Sequence, residues 1–88
     1  MPKFMGIHTL PPGGFTAEQV QQLAQAAQQD PVGKGYRSFC SPAEGKAVCI
    51  LEAPNKQAAA DWFQKMGMPT DSVTELELEG ERGTIKEA

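Results

Sequence analysis

Apolar and polar positions follow different rhythms along this chain, and each change of rhythm marks an element. Residues 3–8 are short and mostly apolar and stop at Leu10-Pro11-Pro12-Gly13-Gly14, which predicts a first strand ended by a turn. The period then becomes helical: Val20, Leu23, Ala24 and Ala27 recur as a single apolar stripe, opposite a solvated face rich in glutamine. Thr16 with Gln19 three residues on forms a capping box, and Phe15 stands at hydrophobic-staple spacing from Val20. Asp30-Pro31 ends the helix, because a residue before proline avoids the helical region.

Residues 36–40 and 47–52 read as two strands of a hairpin, joined by a turn over 41–46. Ala53-Pro54 breaks the second of them and Asn55 caps another helix. That helix carries the heaviest apolar stripe of the chain: Ala58, Ala59, Trp62, Phe63 and Met66. Their helical spacing marks core rather than a cofactor box. Gly67 suits a left-handed helix end and Pro69 acts as a stop. Residues 73–79 alternate, Leu76 and Leu78 against Glu75, Glu77 and Glu79, and predict a half-buried fourth strand. A single domain over 1–79 followed by a loose tail over 80–88 is the expected organisation.

The order βαββαβ matches the ferredoxin-like split βαβ arrangement, an α+β fold with two helices on one face of a four-stranded antiparallel sheet. The 47–52 strand is apolar on both sides, with Val48 and Ile50 pointing one way and Cys49 and Leu51 the other. Both faces of the sheet then require burial, and the helices cover only one. The expected solution is a homodimer packed sheet to sheet, in the manner of a dimeric α/β-barrel. Hairpin parity groups Tyr36, Ser38, Cys40, Cys49 and Leu51 on one side and Phe39, Val48 and Ile50 on the other. Assigning Phe39, Val48 and Ile50 to the helix side leaves Tyr36, Ser38, Cys40 and Cys49 on the open face. If Met5 and Ile7 also face the helices, His8 joins the open side beside a gap at Gly6. A one-residue bulge would overturn this parity.

A net charge of −3 and eight scattered basic residues argue against nucleic-acid binding, which needs a basic footprint. No apolar stretch reaches the length of a membrane span, and residues 1–5 lack the apolar core of a signal peptide, so a bacterial-type cytoplasm is the expected compartment. Two cysteines make no disulfide framework and are expected reduced there. Gly13-Gly14 lacks the lysine and hydroxyl residue of a phosphate loop.

Pro2-Lys3-Phe4-Met5 with His8, Thr16-Ala17-Glu18-Gln19-Val20, the run from Cys49 to Pro54, and Pro69-Thr70-Asp71 resemble a family of small bacterial proteins that includes nickel-binding, nickel-responsive members. The resemblance covers about residues 2–79 and implies a ferredoxin-like fold, a dimer and a nickel-type cofactor. It places His8 on the family's first-strand histidine. The additional histidines of many relatives, in or just after the second helix, are absent here, and His8 is the only histidine.

Imidazole and thiolate are suitable ligands for nickel or copper. The candidate metal ligands are therefore His8, Cys49 and Glu52, with Gly6 and Tyr36 as candidate contacts to a small ligand. The leading expectation is a dimeric protein binding a metal ion or small molecule at the open sheet face. The alternatives are an interaction module without metal, or an enzyme such as a monooxygenase or isomerase, on fold analogy.

Overall fold

The computed structural model describes all residues, 1–88. Its elements run β1 (Lys3–Thr9), α1 (Ala17–Gln29), β2 (Lys34–Ser41), β3 (Lys46–Glu52), α2 (Lys56–Lys65), β4 (Ser72–Leu76), β5 (Leu78–Glu81) and β6 (Thr84–Glu87). The first four strands form one antiparallel sheet in the order β2-β3-β1-β4, with both helices on one face. This is the ferredoxin-like arrangement.

The caps act as the sequence dictates. Thr16 Oγ1 accepts from the Gln19 amide at 3.2 Å, and Gln19 Oε1 accepts from the Thr16 amide at 2.9 Å. Asn55 Oδ1 accepts from the Ala58 amide at 2.8 Å. α2 ends in a Schellman motif: Met68 N–H reaches Phe63 O at 3.0 Å, Gly67 N–H reaches Gln64 O at 2.9 Å, and Gly67 takes the left-handed φ of 73°.

Asp30 ties the two helices together. Its Oδ1 accepts from the amides of Val32 and Gly33, and its Oδ2 accepts from Lys65 Nζ at 3.1 Å. Those two amides, then Lys65, hold its carboxyl down to about 2. The unfolded chain therefore takes up a proton that the folded chain refuses. Stability is expected to be lost as pH falls from about 4 towards 2, and Asp30→Asn is expected to remove that part of the slope in denaturant titrations at fixed pH.

The last segment differs from expectation. β4 stops at Leu76, and residues 78–87, expected as the end of a strand and a loose tail, form a hairpin. Arg82 (φ 50°) and Gly83 (φ 85°) both take positive φ at its tip, as a primed two-residue turn requires. Glu79 anchors the hairpin to the sheet by a 3.0 Å ion pair with Lys3 and a hydrogen bond from the Tyr36 hydroxyl.

Candidate functional site

The core chooses the opposite side of the sheet from the one expected. Phe4, Ala27, Leu51, Ala53, Ala59, Trp62 and Phe63 are buried together, with Cys49 and Val73 packed on them. The register pairs Phe4 with Leu51, Gly6 with Cys49 and His8 with Ala47, so all six face the helices. Met5, Ile7, Val48 and Ile50, paired with one another, are half-buried on the uncovered face, and Phe39 beside Val48 is 54% exposed. The grouping of Ser38, Cys40, Cys49 and Leu51 stands, but it belongs to the helix side. Tyr36 leaves that group, because a bulge between Gly35 and Arg37 takes it out of the pairing.

The inversion has a steric cause. Both strands are apolar on both sides, so hydrophobicity alone does not choose. Gly6 does: a Cβ there would stand 2.6 Å from the Phe63 ring, so the position opens a slot that this ring fills. The gap expected beside His8 is thus closed by packing, not left for a ligand. Gly35 acts likewise under α1, where a Cβ would stand 2.9 Å from Ala27.

His8 is fully enclosed at 0% exposure, edge-on to Phe63 with ring centroids 4.9 Å apart. Nδ1 lies 3.1 Å from the Pro69 carbonyl, which only accepts, so Nδ1 carries the proton. Thr70 Oγ1, 3.2 Å from the same nitrogen, gives its own proton to Met68 O. Nε2 is left as a buried lone pair without a donor, over Gly6. Burial pushes the imidazole below its ordinary value of 6.5. Stability is therefore expected to fall as pH drops below about 6.5, where the unfolded chain gains a proton the folded chain excludes, down to the folded value. Urea midpoints between about pH 7 and pH 5 check this, and His8→Gln is expected to flatten that interval.

The expected metal set does not assemble. Glu52 pairs with Lys3 and Lys34 and so lies on the uncovered face, on the other side of the sheet from His8 and Cys49. No group of three or more His, Cys, Asp or Glu side chains gathers to hold a metal ion. Burial pushes the Cys49 and Cys40 thiols up, so neither supplies a ready thiolate at neutral pH. Two donors, an enclosed imidazole and a protonated thiol, fall short of a nickel coordination sphere, and the residues of one chain do not fit that ion. Tyr36 is also engaged: it donates to Glu79, and Lys3 Nζ stands 4.2 Å from its ring centroid. Nothing in the spacing along the chain marks Glu79 or Lys3 as part of this cluster. Only the 73–79 alternation touched Glu79, and it carried no sign of a partner.

Residues 4–76 match the family described as nickel responsive protein SCO4226-like. The chain belongs to this family. The fold has a solved counterpart in the crystal structure of SCO4226 from Streptomyces coelicolor A3(2), which is 26% identical, covers 89% of this chain and 99% of that one, and superposes with a TM-score of 0.74. No curated protein matches. The family description thus agrees with the resemblance carried by His8 and the Cys49–Pro54 run. No helix is long and apolar enough to cross a membrane.

Proposed function

We propose that this member of the nickel-responsive family is a homodimeric binding protein whose two sheets pack face to face through the uncovered side. One observation carries the reading: Met5, Ile7, Val48, Ile50 and Phe39 lie together on the side of the sheet that neither helix covers. Such a surface on so small a domain marks an interface. A second copy suits it better than an unrelated partner. The face carries both signs of charge, Arg37 and Glu52, so a two-fold axis can set each against its opposite. The β5–β6 hairpin adds Leu78 and Ile85, each 65% exposed, on its side away from Glu79 and hence away from the sheet Glu79 anchors to. These side chains extend the apolar surface towards a partner.

Binding is favoured over catalysis because His8 is enclosed and desolvation raises both thiols above their ordinary value, away from the thiolate form. Isotope-filtered NMR on mixed labelled and unlabelled chains tests the interface. Intermolecular contacts are expected among the methyl groups of Met5, Ile7, Val48 and Ile50. Contacts from α1 or α2 instead would remove the sheet-to-sheet reading. For the metal, titration with a nickel salt is expected to give the same curve for the wild type and His8→Gln. A site lost in that variant would restore His8 as a ligand.

A further inference from the structure

The helix layer does not close over the sheet. α1 is fastened at its C-terminal end, where Ala27 is buried against Gly35, Gln28 Nε2 donates to Gly35 O at 2.9 Å and Asp30 meets Lys65. Towards its N-terminus Leu23 and Val20 are only half-buried and Ala24 is exposed. The apolar stripe that should seal the core borders open space instead. That space is a cavity of about 600 Å³ between α1, α2 and the sheet, walled by Val20, Leu23, Ala24, Cys49, Trp62 and Met66. Small-molecule sites typically span about 300–1,000 Å³ and have mostly apolar walls with a few polar groups.

A second observation is independent of the volume. Trp62, another wall residue, is 8% exposed, and its buried Nε1–H has no acceptor. A buried indole N–H ordinarily finds a partner. Arg37, the only charged residue bordering the space, pairs with Ile50 and holds its guanidinium over the exposed Phe39 ring, 5.2 Å from the centroid, on the other face of the sheet. Desolvation raises the Cys40 and Cys49 thiols above their ordinary value, so neither carries charge at neutral pH. The site offers an apolar volume, one unused donor and little to hold a charge.

We infer that this cavity binds a small, neutral, largely apolar molecule carrying one hydrogen-bond acceptor, its body against the α1 stripe and its acceptor on Trp62 Nε1. The site deepens the binding reading and does not rest on the dimer, because it lies on the helix side of the sheet.

The probe is acedan, a neutral naphthyl ketone whose emission shifts to the blue in apolar surroundings. Trp62 is the only tryptophan, so energy transfer from it reports proximity to this wall. Saturable binding of one probe per chain is expected, with a blue shift and quenched Trp62 emission. Ala24→Phe, which fills the cavity from an exposed helix position, is expected to weaken binding at least about tenfold. Trp62→Phe, followed by the blue shift, removes the donor and is expected to weaken it about fivefold. Circular dichroism checks that each variant folds, and Val20→Phe replaces Ala24→Phe if that one does not. Absence of saturable binding, or unchanged binding in the filled variant, overturns the proposal. Binding lost in Ile50→Lys but retained in Ala24→Phe also overturns it, because the probe would then sit on the uncovered face. A monomer that still binds acedan would refute the dimer and leave the cavity site standing.

Discussion

Phe63→Ala is expected to cost about 3–5 kcal/mol and to leave the domain largely unfolded at moderate temperature. Phe63 is 1% exposed, and its ring fills the slot above Gly6, stands edge-on to His8 and lies against Trp62 with centroids 5.7 Å apart. Truncation would empty that slot, and glycine offers no side chain to relax into it. The cost therefore sits towards the upper end for an aromatic truncation. It would also open the His8 chamber to water, so the imidazole should regain a more ordinary pKa in whatever fraction stays folded. Thermal melts followed by circular dichroism measure the first effect. A loss under about 1 kcal/mol would mean that Phe63 is not the keystone of the helix–sheet packing.

Ile50→Lys is expected to leave the fold intact and abolish the proposed dimer. Ile50 lies at the centre of the uncovered face, between Met5 on β1 and Arg37 on β2. In a single chain the new ammonium points to water and costs little. Between two packed sheets each subunit would bury an unpaired charge at about 3–5 kcal/mol apiece, roughly 6–10 kcal/mol for the dimer, which weakens association by about four to seven orders of magnitude. Arg37 beside it adds like-charge repulsion. Sedimentation of the variant should give monomer under conditions where the wild type is dimeric, with an unchanged far-ultraviolet spectrum. A variant that stays dimeric would move the interface elsewhere.

Much of the fold was legible because each local signal agreed with the next. Thr16 with Gln19, Asn55, Gly67 and the two helical stripes placed the helices, and the order of elements then left essentially one small α+β topology. The facing of the sheet was not legible, because β1 and β3 are apolar on both sides and a period of two carries no sign. The sign was set by volume: Gly6 admits Phe63, and Gly35 admits Ala27. Glycines opposite bulky helix residues were the available signal, and Gly6 was read as a gap for a ligand instead. The bulge at Tyr36 had no sequence mark. The hairpin over residues 78–87 did have one in Arg82-Gly83 between short flanks, but its polar composition concealed it.

The candidate site was less legible, since His8, Cys49 and Glu52 were joined by chemical type alone. Strand parity separates Glu52 from the other two. The orphaned Trp62 Nε1 and the cavity beside it depend on how far α1 stands from the sheet, a distance that no spacing along the chain encodes.

In the proposed dimer a second copy covers the apolar face formed by Met5, Ile7, Val48, Ile50 and Phe39. Sedimentation equilibrium of the wild-type chain over a wide concentration range tests it most directly. A species of twice the chain mass that dissociates only on strong dilution is expected. A species of single chain mass at every concentration would contradict it.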